Sequence, residues 1–165
     1  MPKVVLQAGH WAWRSRSGYR YPAGGGAPGE AAWAADLAAR IASRLRAAGL
    51  EVAVIGHWHR LPAPPEAADP MDVFAALHYD GSVYSTGKNT GGFADRWTFA
   101  ADPAPADSLV STWERGYSAA LGIPIRPERR NENSGLYYAF RALTNCRAAV
   151  LLEHGCGSPV PVTDG

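Results

Sequence analysis

The stretch GEAAWAADLAARIASRLRAAGLEVAVI, residues 29–55, decides the fold class. Helix signals begin at Gly29-Glu30, with an acidic side chain where the helix dipole favours one. Trp33, Leu37, Ile41 and Leu45 recur at four-residue spacing and make one apolar stripe. Gly49 is a natural terminator, and LEVAVI (50–55) then reads as a strand. Upstream, KVVLQ (3–7) is a short β-branched run and a first strand. Strand, helix and strand in that order predict parallel pairing. The start of the helix then lies at the same end of the sheet as the end of the first strand.

Working outward, VFAAL (73–77) is a third strand ending at His78, and AAVLL (148–152) is a buried strand ending at Glu153. Residues 108–121 read as a second helix, with Leu109, Trp113 and Tyr117 at four-residue spacing. Residues 11–29 read as loop, 61–70 as a proline-rich connection and 126–135 as a polar loop. Residues 81–108 read as a long Gly-, Ser-, Asp- and Pro-rich loop of the kind that serves as a lid or binding segment. Residues 136–143 are a short helix or strand. No internal repeat is present. The expected fold is α/β: a single domain with a mixed, largely parallel central sheet flanked by helices.

Composition narrows the function classes. Of 165 residues, 47% are hydrophobic and 19% charged, which is globular rather than disordered. Lys plus Arg is 16 against 15 Asp plus Glu, a formal charge of +1. Such a chain has no global attraction for nucleic acid or an acidic membrane. No apolar run approaches the roughly 20 residues of a membrane helix, so no membrane insertion is expected. MPKVVLQAGH lacks the features of a signal peptide, so the expectation is synthesis in the cytoplasm without an export signal of its own. Cys146 and Cys156 do not make a disulfide framework, and a bridge between them is left open.

Chemistry collects at strand ends. His10, His78 and Glu153 each follow a strand, and Glu30 opens the first helix. In open α/β sheets ligands bind beyond the carboxyl ends of the strands, so these four ionisable groups are expected to converge on one edge. Two imidazoles and a carboxylate are a standard ligand set for a catalytic zinc. The remaining carboxylate would serve as general base. His57 and His59, two residues apart after the second strand, are a rival pair.

The ordered motifs resemble the zinc-dependent N-acetylmuramoyl-L-alanine amidases, cell-wall hydrolases of bacteria and phage endolysins. VVLQAGHW carries a Gly-His motif, GEAAWAADLAARIASRLRAAGLEV a Glu-led helix, MDVFAALHYDG a third ligand segment and RAAVLLEHG a last strand with its glutamate. Together they span residues 4–155. The resemblance implies one Zn2+ per chain held by His10, Glu30 and His78, with Glu153 as the catalytic residue. The chain departs from the family pattern at Gln7-Ala8, where Asp-Pro is usual, at Asp80, where Asn is usual, and at HGCGS after Glu153.

The implied activity is hydrolysis of the amide between N-acetylmuramic acid and L-alanine, in an endolysin-like setting with a holin-type release route. The implied partner is peptidoglycan, met by a monomer. Residues 1–165 would form one catalytic domain with no separate wall-binding module. Trp11, Trp13 and Tyr79, with Tyr19 and Tyr21 nearby, are candidates for lining the cleft, since aromatic faces suit sugar rings and peptide chains. Arg129, Arg130 and His154 are further substrate-binding candidates, the arginines for stem-peptide carboxylates. The alternatives are another zinc peptidase or carboxypeptidase acting on stem peptides, an inactive peptidoglycan-binding module and an α/β protein without metal.

Overall fold

The computed structural model describes residues 1–80, 91–127, 130 and 132–156. Its centre is a five-stranded sheet in the order β4-β1-β5-β7-β6. Strand β1 (Lys3–Ala8) pairs in parallel with β4 (Glu51–Ile55) on one side and β5 (Met71–Asp80) on the other. Strand β7 (Cys146–Cys156) runs parallel to β5, and β6 (Phe93–Arg96) closes the edge antiparallel to β7. A small ribbon of β2 (Trp13–Arg14) and β3 (Arg20–Tyr21) stands apart. The sheet is thus mixed and largely parallel, as the strand–helix–strand reading requires.

Alternation along the strands builds two cores. On one face Val4, Leu6, Ala75, Leu77, Val150 and Leu152 meet helix α1 (Glu30–Ala47) and helix α2 (Ala104–Leu121). On the other face Val5, Phe74, Ala76, Ala149 and Leu151 are covered by Trp58, Phe140 and Leu143. That cover comes from loops and from 3-10 turns at Pro65–Ala68 and Tyr138–Ala142. A four-residue helix, α3 (Glu132–Gly135), precedes the second turn. Among the described residues, no helix is long and apolar enough to cross a membrane.

Several boundaries differ from the sequence expectation. In α1 the fully buried positions are Ala34, Ala38 and Ala42, continuing the line from Glu30. Trp33, Leu37, Ile41 and Leu45 are partly buried beside that line. The seam is alanine because the helix lies close against the sheet, and the larger side chains fill its flanks. Residues 81–108 are not one loop: β6 and the first turn of α2 lie within them, and 81–90 lie outside the described residues. The expected loops over 11–29 and 126–135 contain the β2–β3 ribbon and α3. Residues 136–143, left open between helix and strand, hold the Tyr138–Ala142 turn. His78 and Glu153 lie inside β5 and β7 rather than just beyond them.

The alanine seam is testable. Ala38→Leu should cost about 1–3 kcal/mol through overpacking, lowering the thermal midpoint by several degrees. Ala39→Leu, on the exposed side of the same turn, should stay within about 0.5 kcal/mol. Parallel thermal melts of the two variants check this, and equal losses would refute a close helix–sheet approach at Ala38.

Candidate metal centre

His10, Glu30 and His78 come from three different elements and offer ligand atoms that all lie within 4.8 Å of one another. His10 follows β1 in the left-handed backbone region at φ 56°, which is uncommon for a residue with a side chain. Glu30 is the first residue of α1 and only 2% exposed. His78 is paired with Glu153 across β5 and β7. Paired residues of a parallel ladder present the same face, so Glu153 stands beside His78, and it lines the same cleft as the three clustered groups. The geometry therefore separates the two carboxylates that the residue types alone left interchangeable. Glu30 sits with the imidazoles, and Glu153 flanks them outside the cluster.

The Glu30 carboxylate is held at both oxygens. Oε2 accepts from the Ala27 backbone N–H at 2.8 Å, and Oε1 from that of Tyr79 at 3.0 Å. Oε1 also lies 3.1 Å from His78 Nδ1 and 3.6 Å from His10 Nε2. Burial by itself would raise the pKa of Glu30, but the bond and charge of His78, the Tyr79 N–H and His10 together hold it below the ordinary carboxylate value. Burial pushes His78 below the usual imidazole value against the pull of Glu30. Two glycines make room. A Cβ on Gly9 would stand 2.7 Å from His78 Nδ1, and one on Gly26 would stand 2.5 Å from Glu30 Oε2.

The donor chemistry fits a cation. His10 Nδ1 lies 2.5 Å from the Gly24 carbonyl oxygen, which can only accept. Nδ1 therefore donates there, and Nε2 is the nitrogen turned towards Glu30, 3.6 Å from its Oε1. The three residues could bind one metal ion, in the nitrogen and oxygen donor set that zinc accepts.

The rival pair is placed differently. The His57 ring lies 5.1 Å from that of His10 and 5.9 Å from that of His59. Its Nδ1 is 3.2 Å from the Tyr138 hydroxyl, and neither His57 nor His59 belongs to the cluster. Burial first, then the neighbouring His10 and His59, push His57 down to about 4.

The remaining candidates are dispersed. Tyr79 lines the cleft and its ring packs edge-on against Trp33. Trp11 packs on the helix-side core and accepts the His57 N–H at its carbonyl, while Trp13 donates its indole N–H to the His57 carbonyl at 3.1 Å. Trp13 stacks on Tyr21, and Tyr19 is half exposed. His154 falls on the opposite sheet face from Glu153, among Trp33, Trp113 and Tyr117. Arg130 is ion-paired with Glu114 of α2. Arg129 lies outside the described residues. Cys146 is a free thiol, and it and Cys156 stand at opposite ends of β7, too far apart for the bridge that the sequence left open. Gln7, Tyr137 and Tyr138, which the sequence reading did not place at the site, form a hydrogen-bonded group beneath it.

No protein-family model and no curated protein matches the sequence. Solved structures do match the fold. The N-acetylmuramyl-L-alanine amidase Ami1 of Mycobacterium smegmatis aligns at TM-score 0.61 and 18% identity, over 96% of this chain and 84% of that one. Ami1 of Mycobacterium abscessus, in its apo form, aligns at 0.56 and 15%, over 94% and 85%. The CwlD amidase of Clostridioides difficile, solved in complex with the GerS lipoprotein, aligns at 0.53 and 11%, over 94% and 83%. The chain shares the fold of these amidases.

Burial pushes His154 down to about 4, which predicts a pH dependence of stability. Below the ordinary value of 6.5 the unfolded chain takes up a proton that the folded chain refuses until about pH 4. Stability should therefore fall on acidification through that window, and His57 adds to the same slope. His154→Phe should flatten the fall measured by denaturant titration in the presence of a chelator. An unchanged slope would show that His154 is not held neutral.

Proposed function

We propose that the protein is a zinc-dependent N-acetylmuramoyl-L-alanine amidase that cleaves the bond between the lactyl group of N-acetylmuramic acid and the first L-alanine of the stem peptide. One observation carries the reading: a His10–Glu30–His78 cluster, with Glu30 and His78 buried and His10 partly so, and a second carboxylate, Glu153, beside it rather than within it. The fold shared with solved amidases supports it. Zinc held by His10, Glu30 and His78 would supply Lewis acidity for the scissile carbonyl and acidify the attacking water.

The remaining work falls to the chain's own groups. Glu153 accepts the proton of the attacking water and returns it to the departing amine. Its place on a central strand, paired with His78, fixes the distance between proton acceptor and reacting centre. The Ala27 and Tyr79 N–H groups keep the Glu30 carboxylate from turning away. The ribbon that starts just after His10 offers a largely apolar concavity lined by Trp13, Tyr21 and Pro22, suited to a sugar ring or peptide backbone. One chain supplies every group the reaction needs, so a monomer suffices.

Purified peptidoglycan digested with the protein should release stem peptides with a free N-terminal L-alanine, identified by mass spectrometry. Cleavage inside the stem would instead identify a peptidase. Glu153→Gln should keep its zinc and lose roughly 10²- to 10⁴-fold in rate, the usual share of a general base. Loss of zinc in that variant would make Glu153 a ligand. A chelator should abolish activity at neutral pH, and full activity of metal-free protein would overturn the mechanism.

A further inference from the structure

The chain between His10 and Gly24 leaves the cluster as a closed excursion. Gly24 donates its N–H to the His10 carbonyl at 3.3 Å, and His10 Nδ1 lies 2.5 Å from the Gly24 carbonyl. Between these ends stands the β2–β3 ribbon, two residues a side. A ribbon so short has little stability of its own, and the segment after β4 holds it. Trp13 donates its indole N–H to the His57 carbonyl at 3.1 Å, and Tyr21 its hydroxyl to the Pro62 carbonyl at 2.9 Å. At the tip, Arg16 grips both oxygens of Asp69, at 2.8 and 2.9 Å. The ribbon is therefore fixed in position relative to His10.

Two other arginines of the ribbon are placed differently. Arg14 and Arg20 pair directly across it, where like charges oppose each other at a cost in stability. Both are exposed. Among the described residues neither meets a carboxylate, and the side-chain bond of Arg14 goes to the Gly18 carbonyl at 3.3 Å. Both line the concavity that Trp13, Tyr21 and Pro22 make apolar. An anion shared between the two guanidinium groups would remove their repulsion. Their forked donors match the two oxygens of a carboxylate.

We propose that Arg14 and Arg20 form a subsite for a free carboxylate of the stem peptide, with Trp13, Tyr21 and Pro22 supporting the adjoining backbone. The proposal rests on the reading of the cluster as an amidase centre, and position selects the anion. Arg14 stands four residues out from His10, and Arg20 four residues out from Gly24. Four residues of chain span at most about 14 Å. An extended peptide held by its first amide at the cluster advances about 3.3–3.6 Å per residue. Its second to fourth residues therefore fall within the same span as the arginine pair. The ribbon then acts on specificity: a stem whose carboxyls are amidated loses the charge that the pair receives.

The test compares two soluble muropeptides of one sequence. One has its stem carboxyls free, and the other has all of them converted to primary amides, which keep the shape and remove the charge. Wild-type protein should cleave the free acid with a kcat/KM about tenfold higher, as expected of charge-assisted hydrogen bonds where water competes. The preference should shrink as salt is raised. Arg14→Gln and Arg20→Gln should each reduce it, and the double variant should bring it within about twofold of unity, the loss falling on KM. Arg20→Glu separates this role from a structural one. It sets opposite charges across the ribbon, so the thermal midpoint should match or exceed that of the wild type while the preference is lost. No preference in the wild type, or a preference kept in the folded double variant, overturns the proposal. Binding of both muropeptides to Glu153→Gln protein, followed at the Trp13 indole N–H in 1H–15N correlation spectra, should show the same order. If wild-type protein cleaves neither muropeptide, the proposed function falls and these two binding constants decide on the subsite, equal constants overturning it. If a variant fails to fold, the wild-type preference and its salt dependence decide.

Discussion

A carboxylate sealed at the first residue of a helix is the constraint around which this structure is arranged. Glu30 is 2% exposed, and an ion taken out of water to that degree costs several kcal/mol unless its surroundings compensate. Here they do so from every direction. Ala27 donates from the turn before α1 and Tyr79 from β5, the dipole of α1 favours an anion at that end, and two imidazoles complete the shell. These contacts tie α1 to β5 at one point, and the alanine seam lets the helix approach closely enough for the tie to close. Gly9 and Gly26 are small for the same reason, since any side chain there would occupy the space of the clustered histidine and glutamate side chains.

Much of this was legible in the sequence because it is local or periodic. The Glu-led amphipathic run between two β-branched runs predicts the parallel unit, and strand-end placement brings His10, Glu30, His78 and Glu153 to one edge. What escaped was either short or long-range. Strand β6 has four residues, two of them charged, and carries no periodic signal; it exists because β7 offers it an edge. The β2–β3 ribbon is two residues a side, held by the stacking of Trp13 on Tyr21. The Gln7–Tyr137 contact joins residues 130 positions apart, beyond any local pattern. Gln7 did leave one trace, as a polar side chain inside an otherwise apolar strand.

The sequence also held information about faces that strand ends alone do not use. In a strand, neighbours point to opposite sides. Once Ala148, Val150 and Leu152 face the helices, Glu153 must face away from them and His154 towards them. The two adjacent residues thus enter different chemistry: one beside a polar cluster, the other in an aromatic packing site. Arg130 shows the complementary limit. Its charge was visible, but its partner Glu114 lies on a helix 16 residues earlier, and only the packing of α2 brings them together.

The placement of His78 and Glu153 within central strands governs how the site comes apart. Backbone amides in the middle of a sheet open only with the whole fold, whereas loop amides open in small local fluctuations of far lower free energy. Glu153 has paired strands on both sides and His78 is paired to it from β5, which places both among the amides expected to open with the sheet. His10 belongs to the fast class, on a left-handed residue tethered to the Gly24 loop. The His10–Glu30–His78 cluster therefore has one hinged member and two seated in the scaffold. Opening of the cluster would proceed through the excursions of the loop, on their timescale, while Glu153 and His78 stay registered for as long as the sheet persists.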